Sequence, residues 1–161
     1  MGDATCKSGR RLDNWVFHHT TGVFTPEEKQ HVAREMTKVY TGVGLPAFYR
    51  HAHFIKLHPD SIYAGGVTPP AFTTLSIFHI ARSFDNQEIQ YMFYKGSDDI
   101  LRPILKPKGV EREIGVYEAR RDLWRVNRLI PPPTGSEMEK KWFAENRVTD
   151  EEELLRAQDH P

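Results

Sequence analysis

An α/β fold of two tandem βαβ units, with four strands in one sheet and two helices on one face of it, is predicted by two observations. The order strand, helix, strand occurs twice, across 14–58 and again across 71–119, although the halves share little residue identity. A two-fold internal pseudo-repeat is the economical reading of that order. The chain also has the size of one core: 161 residues, 39% hydrophobic and 27% charged, make a single soluble domain.

The elements follow in order. Residues 1–13, MGDATCKSGRRLD, are polar and aperiodic and predict a disordered leader. Strand character begins at NWVFHHTT. A helix start comes next, with Thr25 as N-cap, Pro26 at the first helical position and Glu28 three residues after the cap. Apolar Val32, Ala33, Met36, Val39, Tyr40 and Val43 recur at helical spacing, and Gly42 and Gly44 close a helix expected over 26–42. HAHFIKLHP reads as the second strand, DSIYAGGVTPP as a Gly/Pro loop and AFTTLSIFHIAR as an apolar third strand.

The second helix is expected to start after Ser83 or Asp85. Its inner stripe is read as Ile89, Met92, Phe93, Gly96 and Ile100, and it is expected to fail near Pro103. GVEREIGVYEA is the fourth strand. Beyond it, RRDLWRVNRLIPPPTGSEMEKKWFAENR holds a short helical piece, a triple-proline break and a capped helix from Ser136. It is too short to be its own domain and is expected to lie on the main body or on a neighbouring subunit. The domain is thus drawn at 14–147, with 148–161 as a flexible tail. Helices on one side leave the other side of the sheet to be covered. With Phe54, Ile55, Leu75, Ile77 and Phe78 in the strands, a further subunit is the expected cover.

Composition narrows the function. Twenty-two basic against twenty-two acidic residues give no net charge, so nothing in the overall balance calls for nucleic acid or an anionic membrane. No apolar run approaches the roughly eighteen residues of a membrane span. A lone Cys6 makes no internal disulfide, and the N-terminus lacks the apolar core of a signal peptide, so a cytoplasmic location is expected. Eight histidines raise the question of a metal. His51 and His53 share a strand face and His18 and His19 are adjacent, but no third ligand follows at a recognisable spacing and no CxxC exists, so no metal is expected.

Five segments, WVFHHTTGVFTPEEKQ, YTGVGLPAFY, YAGGVTPP, FHIARS and RDLWRVNRLIPPPTGSEMEKKWFAENR, run in that order over 15–147. Together they resemble the fungal and bacterial proteins similar to cis-3-chloroacrylic acid dehalogenase within the tautomerase superfamily. The resemblance implies a tautomerase-like tandem βαβ fold, assembly as a homotrimer, and acid/base chemistry without a cofactor. It implies substrates that are small unsaturated or keto carboxylates, converted by keto–enol tautomerisation or hydrolytic dehalogenation.

Members of that family use an amino-terminal proline as acid or base, and the resemblance puts that position at Asp13. Here it is internal, and an amide nitrogen is neither basic nor nucleophilic. Three readings stand: a binding protein that has lost the proline chemistry, a working N-terminus that differs from the written one, or Asp13 itself as the base. A carboxylate with an ordinary pKa near 3.9 needs strong desolvation for that last role.

The other site positions carry over unevenly. Arg82 falls near the dehalogenase arginine that holds the substrate carboxylate with two parallel hydrogen bonds; the alternative is a surface arginine at a strand end. Tyr40 stands where the dehalogenase has a histidine, or else is simply core. Arg125 replaces the glutamate that activates water there, which speaks against halide hydrolysis; it either holds an anionic substrate or is an exposed neighbour of Trp124. Tyr117 and His79 are candidates to line the same pocket, His79 with a structural role as its alternative.

Overall fold

The structure, a computed structural model, describes residues 11–81, 84, 86–127 and 129–150, except for the side chains of residues 11–13, 81 and 121. Its elements are β1 (Arg11–His19), α1 (Pro26–Thr41), β2 (Arg50–Lys56), β3 (Phe72–Ala81), α2 (Gln87–Leu105), β4 (Glu111–Glu118) and α3 (Glu137–Glu145). The sheet order is β2-β1-β3-β4. β1 runs parallel to β2 and β3 parallel to β4, while β1 and β3 meet antiparallel. This is the predicted pair of βαβ units, joined through their first strands.

Alternation along the strands sets the layers. Trp15, Phe17, Leu75 and Ile77 are buried under the helices, and the Phe17 ring stacks on Phe54 at 4.7 Å between centroids. Phe78, Ile55 and Tyr117 stand on the other face and keep 41%, 41% and 55% of their surface exposed. That face of the single chain is the one a further subunit was expected to cover.

α1 begins on the capping box read from the sequence. The Glu28 amide donates to Thr25 Oγ1 at 3.2 Å and the Thr25 amide donates to Glu28 Oε2 at 2.8 Å, so two otherwise orphaned donors are satisfied reciprocally. Its buried stripe is Val32, Met36 and Tyr40, narrower than expected, with Val39 and Val43 exposed. α2 is capped by Asn86 Oδ1, which accepts from the Ile89 amide at 2.9 Å.

One expectation for α2 is corrected in part. Phe93 and Ile100 pack against the core as expected, but Ile89 and Met92 are exposed, and the buried positions are Ser97, Leu101 and Leu105. The helix ends near Pro103 as expected, two residues beyond it at Leu105. The proline lies in the last turn, where only one internal hydrogen bond is lost, and burial of Leu105 just beyond it holds the turn in place. Gly109, at φ +63°, then ends the run in the left-handed region.

β1 starts at Arg11, ahead of the expected first strand residue at 14, because Arg11 pairs with Ala81 and Asp13 pairs with Arg50 and His79. α3 follows Ser136, whose Oγ accepts from the Glu139 amide. Its Trp142 is buried against Phe48 and Tyr49 of the same chain, so this part of the tail lies on the main body. No helix among the described residues is long and apolar enough to cross a membrane.

Candidate active site

Parallel β1 and β2 begin, and β3 ends, at one edge of the molecule. Asp13 is there in register with Arg50 on one side and His79 on the other, and His79 is in register with Glu118. Inward positions of β2 count back by twos from Phe54 through Ala52 to Arg50, so the arginine is turned beneath the helices. Arg50 is 7% exposed, and its guanidinium carbon lies 3.8 Å from the centroid of the Tyr40 ring.

Tyr40 reaches this point from the last turn of α1, one helical step beyond Met36, and is itself 3% exposed. Its hydroxyl oxygen accepts a hydrogen bond from Trp15 Nε1 at 3.2 Å. The side chain is therefore held from both ends. The ring face meets a cation, an attraction strengthened by desolvation, and the hydroxyl is fixed by a buried indole.

His79 completes the inner wall. It is buried, stacked on Phe84 at 4.5 Å and 11°, and tilted against Phe93, whose ring lies 6.3 Å from that of Tyr40. Glu118 Oε1 accepts from the Phe84 amide at 2.8 Å and ties the segment after β3 to the end of β4. The result is a water-poor cluster of rings around one buried guanidinium.

Ile80 follows His79 and alternates to the opposite face, and Asn14, in register with Phe78, lies on that face too. With His51, Trp124 and Arg125 they line a cavity of about 230 Å3. Arg125 is exposed, and its Nη1 donates to the backbone carbonyls of Asp122 and Trp124, both at 2.8 Å. A larger hollow of about 860 Å3 lies along α2 and β4 around Tyr94, Asp98 and Arg112, but Arg112 is already paired with Asp98.

Of the residues singled out from the sequence, position 13, Tyr40 and His79 come together at the strand ends. Tyr117 does not join them: it pairs in register with Phe78, stacks on that ring at 5.5 Å and lies over Gly115 on the face opposite His79. The pleat decides this, because neighbouring positions on β3 point to opposite faces. Arg125 also belongs to that opposite side. Arg82 lies outside the described residues.

Arg50 was missed, although the alternation Arg50, Ala52, Phe54 marks it as inward. His51 and His53 do share a face, with ring centroids 6.2 Å apart. Among the described residues no group of three or more His, Cys, Asp or Glu is arranged to hold a metal.

A mixed four-stranded sheet of two tandem βαβ units, joined antiparallel through their first strands, is the architecture of the tautomerase class. Residues 12–147 match the family described as "Putative oxalocrotonate tautomerase enzyme", and the chain belongs to that family. A probable enzyme from the thermophilic fungus Aspergillus fumigatus is 42% identical, with 88% of this chain and 99% of that one covered at a TM-score of 0.83. RhCC from Rhodococcus jostii is 33% identical over 85% of this chain and 99% of its own, with a TM-score of 0.80. N1, a member of the cis-3-chloroacrylic acid dehalogenase family, shares the fold at 18% identity and a TM-score of 0.61, covering 92% of this chain and 99% of its own. No curated protein matches the sequence significantly.

Proposed function

We propose that this chain carries out cofactor-free acid/base chemistry on a small enol or unsaturated carboxylate, as tautomerases do. The observation that supports this most is a buried arginine against a buried tyrosine, Arg50 and Tyr40, beside the strand position where the resemblance puts the proton-transferring group. Keto–enol conversion moves one proton off carbon and another onto oxygen, with negative charge on that oxygen in between. A guanidinium withdrawn from water stabilises such a charge far better than one in bulk solvent.

In this reading Arg50 meets the oxyanion, Tyr40 serves the oxygen, Asp13 serves the carbon and Arg82 holds the carboxylate. A cation stands at position 125, where hydrolytic dehalogenation calls for an acid, so tautomerisation is favoured over halide hydrolysis. The working form is a homotrimer in the cytoplasm, which the exposed aromatic face of the sheet and the lone cysteine support.

One observation favours a second reading, a ligand- or partner-binding protein on the same scaffold. β1 continues through position 13 to Arg11, so the nitrogen of Asp13 is a strand amide and not an amine. The deciding experiment follows phenylpyruvate enol–keto exchange in the full chain, in Asp13→Asn, and in a variant starting Met-Pro ahead of Asn14. Activity in the full chain that disappears in Asp13→Asn supports the carboxylate base. Activity only in the proline-start variant supports a pocket built for an amine, and inactivity in all of them counts against the catalytic reading and favours the binding role.

A further inference from the structure

We infer that Trp15 is a positioning residue: its buried indole N–H fixes the Tyr40 hydroxyl as a proton donor and steadies the phenolate left once that proton has gone. The recipient, a substrate oxygen, rests on the proposed tautomerase-type reading, whereas the hold of Trp15 on Tyr40 rests on the geometry alone.

Trp15 stands on β1 in register with Ala52 and Ile77, two residues along from position 13, and is 1% exposed. Its Nε1 donates to Tyr40 Oη at 3.2 Å, across 25 residues of sequence. An indole nitrogen can only donate, and a phenol has a single proton. The Tyr40 oxygen therefore accepts at this bond and its proton goes elsewhere. Arg50, with its guanidinium carbon 3.8 Å from the ring centroid, cannot take that proton, because a guanidinium has no acceptor. The receiver is a third group.

A second buried indole shows what a purely structural bond of this kind looks like. Trp142 Nε1 donates to Thr149 Oγ1 at 2.8 Å, and that hydroxyl passes its own proton to Met138 Sδ at 3.3 Å. That chain ends on a sulfur within the same chain's packing. At Tyr40, by contrast, the two groups that hold the phenol are a donor and a cation. Both favour the deprotonated oxygen, the first by a hydrogen bond to it and the second by its charge, while burial opposes it. Two ionisable groups flank the phenol: Arg50 on the ring face, and His79 beyond the Phe93 ring, which lies 5.3 Å from the imidazole and 6.3 Å from the Tyr40 ring.

The proton balance of a keto–enol exchange uses this arrangement directly. The Tyr40 O–H bond breaks as its proton passes to the carbonyl oxygen of the keto acid, while a second group removes a proton from the neighbouring carbon. The C–H electron pair becomes the new carbon–carbon double bond. Tyr40 is left as a phenolate against Trp15 and Arg50, and it recovers a proton from the second group through solvent.

The test replaces the indole of Trp15 by benzothiophene, using β-(3-benzothienyl)alanine at position 15 of the full chain, so that a sulfur stands for the N–H and the ring shape is kept. Trp15→Phe is the companion variant. Ionisation of the six tyrosines is followed by 13Cζ resonances, with Tyr40 identified by its loss in Tyr40→Phe. In the benzothienyl protein Tyr40 is expected to titrate about one pH unit or more higher than in the native chain, the effect of removing a hydrogen bond to the charged form. The other tyrosines should not move. For phenylpyruvate, kcat is expected to fall about tenfold with KM little changed, and the alkaline limb of the pH–rate profile to move up with Tyr40.

Equal titration of Tyr40 in the native and benzothienyl proteins, including a Tyr40 that ionises in neither before alkaline unfolding, overturns the inference. A lowered melting temperature as the sole change, in either variant, makes Trp15 a core residue. Equal turnover with equal titration removes the inference and keeps the catalytic reading. A raised Tyr40 titration with no turnover in any form keeps the hold of Trp15 on Tyr40 and removes the catalytic reading.

Discussion

The guanidinium of Arg50 sits over the ring of Tyr40, 3.8 Å from its centroid, with both side chains buried at the start of the central strands. A stacked, planar cation differs from a point charge, because lysine keeps the charge but loses the flat face and the fork of donors. Arg50→Lys is therefore expected to lower kcat/KM for phenylpyruvate tautomerisation by about 100- to 1,000-fold, the range for losing one oxyanion donor. Circular dichroism should show the fold intact. Unchanged kcat/KM together with a lowered melting temperature would make the arginine purely structural.

Tyr40→Phe separates the ring from the hydroxyl. The ring can still meet Arg50, but Trp15 Nε1 loses its acceptor inside the core. An unsatisfied buried donor costs about 1–3 kcal/mol, so urea unfolding should show a loss of that size. If the hydroxyl also serves the substrate oxygen, kcat falls further than this stability loss explains and the alkaline limb of the pH–rate profile moves. A stability loss with an unaltered profile would restrict Tyr40 to the core.

Much of this fold is legible in the sequence because period and punctuation are strong there. The Thr25, Pro26, Glu28 start and the strand character of NWVFHHTT are local signals, and the structure keeps them. What is not legible depends on partners. Ile89 and Met92 fit a helical stripe as well as Ser97 and Leu101 do, and only the direction of approach to the sheet decides between them. Pro103 does mark the end of α2 to within two residues, and only burial of Leu105 sets the last of them. At the site, Tyr117 and His79 look alike until the register of β3 with β4 separates their faces. Arg50 is hidden by the habit of reading a strand-start arginine as solvated.

The capping box predicts a stability effect away from the site. Thr25→Ala removes the acceptor for the Glu28 amide and should cost about 1 kcal/mol. Glu28 also pairs with Lys108 Nζ at 2.6 Å, which donates in turn to the Val23 carbonyl, so the cap joins α1 to the turn after α2. Thr25→Ser should recover most of the loss. Chemical denaturation of both variants checks this, and equal losses would assign the effect to packing of the threonine methyl.

His19 gives the fold a pH dependence. It is 1% exposed; burial pushes its pKa down, aided by Lys29 and Lys56, against the opposing bond to the Thr20 carbonyl. A base whose folded pKa is depressed binds protons more readily when unfolded, so stability rises with pH. The contribution of the neutral imidazole is complete above the ordinary histidine range near 6.5. It is lost progressively as pH falls from there towards the lowered folded value. Urea unfolding at neutral and mildly acidic pH should show this decline, and His19→Gln should flatten it. An equally steep decline in the variant would move the effect to other groups.

Assembly offers the last prediction. Phe78 and Tyr117 are stacked on each other, with 41% and 55% of their surfaces exposed, on the face of the sheet opposite the buried Trp15, Phe17, Leu75 and Ile77. Ile55 adds a further apolar side chain on the same face, at 41% exposure. Contiguous aromatic surface of this kind marks an interaction face. Closed symmetry would place it between copies of the chain. Light scattering at micromolar concentration is expected to give the mass of a trimer. Phe78→Glu and Tyr117→Glu together would force charges into the contact without a partner, each at several kcal/mol, and should yield a folded monomer. A wild-type monomer, or a trimer unaffected by the paired glutamates, would show that subunits do not meet through this face.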